Sequence, residues 1–224
     1  MSNQFAYAIR SLHKHPAVAL TVILTISLGI GASTAMFSVT NAVLMQPLPY
    51  RNSDRLVVAS GELRKRGVTD LPLSDPDFID LRNGAKDRFE DLAAVMTGRM
   101  LLPQSDGTLE QVRFALVTPN FFELLGGSII AGRDFVDADA GTQLAAQSGA
   151  AIVSHGYWQR RYGGDTSILG QENPTGGRAG PKIAGVLDPR FELLLPPRLN
   201  VERMPDIWFA ARVTYDNAQR KTFT

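Results

Sequence analysis

The sequence predicts a membrane-anchored α+β protein, with one N-terminal transmembrane helix followed by a mixed α/β domain. Two observations carry this reading. Residues 16–50 contain no charged side chain, whereas residues 51–224 alternate short apolar strands with short helices and tight turns. Two further facts narrow the class. Cysteine is absent, which removes disulfide staples, thiolate-bound zinc, thiol nucleophiles and an acylated lipoprotein cysteine. The compartment stays open, because an exported domain of this size can fold without disulfides. A formal net charge of +1 over 224 residues supplies no basic face, so no nucleic-acid partner is expected.

Within residues 1–15, Phe5, Ile9 and Leu12 fall at i, i+4 and i+7, with Arg10, His13, Lys14 and His15 beside them. This stripe predicts a short amphipathic helix lying in the headgroup layer. Pro16 marks an elbow, because proline disfavours helical backbone at the residue before it. As a helix, Ala17 to Met45 would rise roughly 43 Å, against a hydrocarbon core about 30 Å thick. Residues 16–48 are therefore assigned to the membrane helix and 49–224 to a separate domain. A cleaved signal peptide, with Ser33-Thr34-Ala35 as its site, is the competing reading. It is disfavoured because apolar character continues through Phe37, Val39, Val43 and Leu44, past the usual apolar run of about 7–15 residues. Flanking charge leaves orientation open. Arg10 and Lys14 precede the span, Arg51 and Arg55 follow it, and long domains translocate largely regardless of charge.

One flank of this helix carries more information. Ser27, Gly31, Thr34, Ser38 and Asn41 follow 4-3-4-3 spacing, and Ser27, Gly31 and Ala35 form a small-xxx-small run. Hydrocarbon gives no hydrophobic drive between helices, so close backbone approach and interhelical hydrogen bonds must hold them. The seam predicts partner transmembrane helices, with lipid against Ile23, Ile26, Ile30 and Phe37. Small residues also occur in membrane helices without such a role. Asn41 favours the partner reading, because it is costly to present to lipid.

Beyond the span, Leu56 to Ala59 reads as a strand after the Pro47-Leu48-Pro49 break. Ser74-Asp75-Pro76-Asp77 opens a helix that Asn83-Gly84 stops: Ser74 serves as N-cap, and proline and acids suit the first turn. Residues 89–95 lead into a strand through Leu101-Leu102. Ser105-Asp106-Gly107-Thr108 turns it, with glycine where a positive φ is wanted. The return strand, Glu110 to Val117, alternates Val112, Phe114 and Leu116 against Gln111, Arg113 and Ala115. Thr118-Pro119-Asn120 caps a short helix, Phe121 to Leu125, ended by Gly126-Gly127. Ala150 to Val153 is a strand, Gly156 to Tyr162 a helix, and Ile183 to Leu187 and Ile207 to Phe209 are strands. Residues 171–182, rich in glycine and proline, read as loop.

Chemistry-bearing motifs are few. No Gly-Lys dipeptide occurs, so no Walker A loop is present. His13, His15 and His155 are the only histidines, and none is spaced to bind zinc. Adjacent Ser154 and His155 are not how a triad is assembled; His155 is expected to begin a helix. Asp137 to Gly141 resembles a calcium loop without its terminal glutamate. Asp75, Asp77 and Asp80 are read as helix-start acids, and Arg160 and Arg161 as a solvated face. No catalytic residue, metal site or cofactor is assigned, and no enzyme activity is expected.

In order and spacing, several segments resemble the permeases of the MacB/FtsX class of ABC transporters, particularly those lacking their own ATPase domain. They are FAYAIRSLHKHP, TISLGIGASTAMFSVTNAVLMQPLPY, SDPDFIDLRN, FEDLAAV, VTPNFFELLG, AGRDF and IVSHGYWQRRYGGD. The resemblance implies a first transmembrane helix and an extracytoplasmic MacB-like core domain in a bacterial plasma membrane, with Met1 in the cytoplasm. It further implies a separate cytoplasmic ATPase whose motion the membrane helices pass to the outer domain. Two departures stand against the family pattern. QENPTGGRAGPK does not supply the strand pair expected there, and the family continues with more outer domain and three more membrane helices, so the core domain is expected to be truncated. A single-pass anchored binding or sensory module is the alternative; an anchored hydrolase using His155 has the least support.

Overall fold

The computed structural model describes residues 16–41, 48–63, 66–104, 107–141, 149–172 and 180–213. The helix expected over residues 1–15 lies outside them, as do Ser105-Asp106 of the hairpin turn and residues 173–179 of the expected loop. The chain divides into two compact units, Met1–Leu48 and Pro49–Thr224.

Among the described residues of the first unit, helix α1 runs Pro16–Thr40 over 25 residues, a rise of about 38 Å. By length and composition it can cross a membrane. None of its residues is buried, and Leu28, Met36 and Phe37 are each more than 70% exposed (76%, 76% and 72%). Such a helix satisfies its own backbone without water, the condition a bilayer imposes. Thr21 and Thr25 hydroxyls donate back to the carbonyls of Ala17 and Thr21, each at 2.8 Å, so these polar groups too are satisfied internally. Pro16 occupies the first position, where a missing N–H breaks no intrahelical bond.

The second unit contains β1 (Gly61–Leu63), β2 (Val68–Leu71), α2 (Asp75–Gly84), β3 (Val95–Pro103), β4 (Leu109–Val117), α3 (Phe121–Leu125) and β5 (Ile129–Gly132). These are followed by β6 (Ala150–Ser154), α4 (His155–Tyr162), β7 (Lys182–Leu187) and β8 (Ile207–Ala210). β1 and β2 pair by themselves, and the other strands form a six-stranded sheet in the order β3-β4-β8-β6-β7-β5. The sheet is mixed. β3 and β4 form an antiparallel hairpin in register from Val95↔Val117 to Pro103↔Leu109. β8 inserts beside it, parallel to β4 and antiparallel to β6. β6 runs parallel to β7, which pairs antiparallel with the edge strand β5.

The core lies on both faces of this sheet. Alternation along β8 sends Ile207 and Phe209 to one face and Trp208 and Ala210 to the other, as a period of two requires. On the first face Leu102, Val112, Val153, Ile183, Ile207 and Phe209 pack beneath Tyr157 of α4. On the second, Phe121 and Phe122 of α3 cover Ala115, Val117, Ile152, Leu187 and Trp208. Every residue of β8 and the first four of β6 are buried, which fits their unbroken apolar sequences, AAIV and IWFA, to central positions.

Local signals behave as their chemistry requires. Ser74 has extended backbone and accepts the Asp77 N–H, capping α2. Ser154 does the same for Tyr157 in α4. Glycine is forced at Gly132, where φ is +81° and a Cβ would lie 2.1 Å from the Ala184 carbonyl oxygen. In β3, Gly98 leaves space for the ring of its cross-strand partner Phe114, which would stand 2.8 Å from a Cβ.

Two expectations are corrected, and a third in part. Leu56 to Ala59 forms no strand; Val57 and Val58 are 67% and 51% exposed. β-branched composition alone does not make a strand where no partner is available, and pairing begins at Gly61 with β2. Ala115, grouped by alternation with polar residues, is fully buried against α3 because both faces of β4 are covered there. Arg160 is exposed as expected of a solvated face, with its side chain 52% accessible, whereas the Arg161 side chain is only 17% accessible, and both are ion-paired, as described next.

Candidate functional site

Ser27, Gly31, Thr34, Ala35 and Ser38 lie within α1 and Asn41 lies one residue past Thr40, all of them exposed. At about 100° per residue they share an arc of about 120° on the helix. A Cβ on Gly31, like one on Gly29, would meet no atom outside the helix within 4 Å. Ile23, expected against lipid, stands 18 residues before Asn41 and by the same rotation falls within this arc.

In the second unit one group of charged side chains is paired internally. Asp206, just before β8, is 4% exposed. Its Oδ2 accepts the Arg113 backbone N–H and Nε, each at 3.0 Å, and its Oδ1 accepts Arg113 Nη2 at 3.0 Å and Arg160 Nη2 at 3.3 Å. Burial pushes this carboxyl up, but the hydrogen bonds from Arg113, side chain and backbone, with help from Arg160, outweigh it and hold the pKa below the ordinary carboxylate value. Glu110 is shared between Arg160 at 3.2 Å and Arg161 at 3.3 Å, and Arg161 also donates to the Pro103 carbonyl at 2.8 Å. The cluster ties α4 to the β3–β4 hairpin and to the start of β8.

A second pair closes the segment after β5. Arg133 grips Asp139 with both terminal nitrogens, at 2.6 and 2.9 Å, and this bond keeps the Asp139 carboxyl below its ordinary value. Asp139 also accepts the Val136 N–H at 2.9 Å. The stretch that resembles a calcium loop is therefore organised around a guanidinium. Among the described residues, no three His, Asp or Glu side chains converge to hold a metal ion.

Ser154 and His155 are used structurally. The Ser154 hydroxyl caps α4, and the His155 ring packs edge-on against Trp158 at 5.6 Å. The open groove lined by Thr97, Gly98, Arg99, Asn200, Val201 and Glu202 is crossed by an Arg99–Glu202 ion pair at 2.7 Å. Nothing in these arrangements presents an activated nucleophile. Charge assembled this way fixes strand and helix positions.

Sequence reasoning missed Asp206 and Arg113 as a pair. The available signal was a lone acid immediately before the wholly apolar IWFA run. A buried strand seldom starts with a carboxylate unless that carboxylate has a partner.

Comparison with known proteins agrees with the resemblance drawn from the sequence. Residues 19–222 match the family described as the MacB-like periplasmic core domain. Among solved structures, a domain of a putative permease from Porphyromonas gingivalis is 20% identical, with 58% of this chain and 55% of that chain covered and a TM-score of 0.37. The extracellular domain of the noncanonic ABC-type transporter YknZ from Gram-positive bacteria is 19% identical, covering 63% of each chain, with a TM-score of 0.41. The periplasmic region of MacB from Actinobacillus actinomycetemcomitans is 11% identical over 73% of this chain and 77% of that one, with a TM-score of 0.42. The matched part is therefore under two thirds of the first two structures. No curated protein matches. With nine-tenths of its length inside the family match, the chain belongs to the MacB-like periplasmic core domain family of ABC-type permeases.

Proposed function

We propose that this chain is a non-catalytic permease component of an ABC-type export or extraction system. In this reading α1 crosses the bacterial plasma membrane with its N-terminus in the cytoplasm, and residues 49–224 form the extracytoplasmic domain. The seam of Ser27, Gly31, Thr34, Ala35, Ser38 and Asn41 packs against other transmembrane helices. A separate cytoplasmic ATPase drives those helices, and the outer domain rearranges in response.

The observation that carries the proposal is the joining, in one chain, of a 25-residue uncharged helix with no buried residue to a folded domain of this family. A helix apolar all round needs either a core or a lipid environment, and α1 has no buried residue. The ion pairs of the outer domain support a mechanical role, since they brace α4, β4 and β8 against one another.

Purification of the chain from membranes in mild detergent tests the proposal. An ATPase subunit and further permease helices are expected to accompany it, with ATP hydrolysis altered by the outer domain's ligand or by seam substitutions. Recovery of the chain alone, with a domain that binds a ligand independently of any ATPase, would replace this reading with an anchored sensory module.

A further inference from the structure

Tyr50 is the first buried side chain in the described chain, 9% exposed, one residue into the outer unit, which begins at Pro49. Its hydroxyl donates to the Glu192 carbonyl at 2.8 Å and accepts the Leu194 N–H at 2.5 Å. Burial raises the phenol above its ordinary value, so it keeps the proton it donates. The neighbouring Arg51 N–H donates to the Leu125 carbonyl at 3.0 Å. Gly126 has φ +75°, and a Cβ there would stand 2.8 Å from the Arg51 Cβ. The backbone of residue 51 is thus pressed onto the end of α3.

From Tyr50 the packing leads directly inward. Its ring lies 6.1 Å from Phe191. Phe191 in turn meets Phe122 edge-on at 5.4 Å and Trp208 at 5.9 Å, and Trp208 stands on β8 in the middle of the sheet. In sequence the anchorage is isolated: no described residue between Tyr50 and Pro76 is buried. Any pull arriving along the backbone from residue 49 therefore meets Tyr50 first, with the Arg51 backbone bond to Leu125 beside it, and the next buried side chain among the described residues is Pro76 of α2.

We propose that Tyr50 is a mechanical latch, a positioning residue that delivers displacement of the chain leaving the membrane segment to the aromatic core of the outer domain. This rests on the coupling reading above. The two hydroxyl bonds hold the Tyr50 side chain to the backbone of residues 192 and 194, and the Phe191 contact connects that hold to Phe122 of α3 and Trp208 of β8.

The test uses the full chain in lipid nanodiscs and needs no ATPase, so its outcome is separable from that of the copurification experiment. The chain has no native cysteine, so Leu48→Cys and Gln111→Cys give two unique handles for pulling at constant force. The expected first event is release of residues 50–76, an extension of up to about 90 Å at about 3.5 Å per residue. Tyr50→Phe keeps the ring and removes both hydroxyl bonds. It is expected to accelerate that first step roughly 10- to 100-fold while leaving the later unfolding of the sheet unchanged. Phe191→Leu, which keeps the hydroxyl bonds, is expected to fall between the two. In the same samples, exchange of the Arg51 amide should rise in Tyr50→Phe while β6 and β8 amides stay protected. An unchanged first step, or equal acceleration of both steps, would overturn the latch and leave the coupling reading standing.

Discussion

Asp206 offers the sharpest energetic test, because one carboxylate holds a backbone N–H and two guanidinium groups from β4 and α4. Asp206→Ala removes all of these acceptors at once. The Arg113 and Arg160 side chains are 40% and 52% exposed, so water recovers part of what they lose. The Arg113 backbone N–H, beside the buried Asp206, recovers less. Weighing charged hydrogen bonds of about 1.5–3 kcal/mol against that rehydration, the expected loss is about 2–4 kcal/mol. For a domain of this size that corresponds to a fall in Tm of about 5–15 °C. Urea titration of the full chain in micelles, followed by tryptophan fluorescence, reads it as a lower midpoint at unchanged slope.

The pH dependence gives the same test a sign. The folded-state pKa of Asp206 is depressed, so its contribution is complete above the unfolded value near 3.9 and is lost as pH falls through the folded value. The wild-type chain should therefore lose stability over that acid range more steeply than Asp206→Asn. A loss below about 0.5 kcal/mol for Asp206→Ala, the usual range for surface substitutions, or identical acid profiles, would refute the view that this carboxylate braces the sheet.

Other substitutions probe separate parts of the structure. Phe122→Ala empties a fully buried position that touches Phe121, Phe135, Phe191 and Trp208, and should cost about 3–5 kcal/mol by the same titration. Gly132→Ala places a Cβ against the Ala184 carbonyl at positive φ; hydrogen exchange should report loss of protection in β5 before the central strands open. Gly31→Ile puts a bulky side chain into the proposed seam and, on the proposed packing, should reduce recovery of other permease helices at least tenfold, with membrane retention of the chain unchanged.

Much of this fold was legible because the deciding signals are local. Ser74 with Pro76 and Asp77 announces α2 within four residues, and Gly126 and Gly163 end their helices in the left-handed region that glycine favours. The continuous apolar runs of β6 and β8 announced buried strands. What could not be read was partnership across long separations. The ion pairs of Arg160 and Arg161 were invisible because their acids lie 46 to 51 residues away in sequence. Ala115 stands among polar residues in the alternation of β4, and only the packing of α3 on that face shows that it is buried. Asn120 was read as a cap, but its side chain instead bonds the Asp91 carboxylate at 2.7 Å and the Leu92 carbonyl at 3.1 Å, fixing the approach to β3. Helical spacing alone sets which residues of α1 share a flank.

Site-specific labelling in spheroplasts measures the arrangement most directly. With no native cysteine to interfere, Gln159→Cys on α4 and Asn3→Cys near the N-terminus can each be challenged with a membrane-impermeant maleimide. Labelling of residue 159 in intact spheroplasts, with residue 3 reacting only after lysis, is the expected result. The opposite pattern, or recovery of both variants in the soluble fraction, would contradict a helix that holds this domain on the outer face of the membrane.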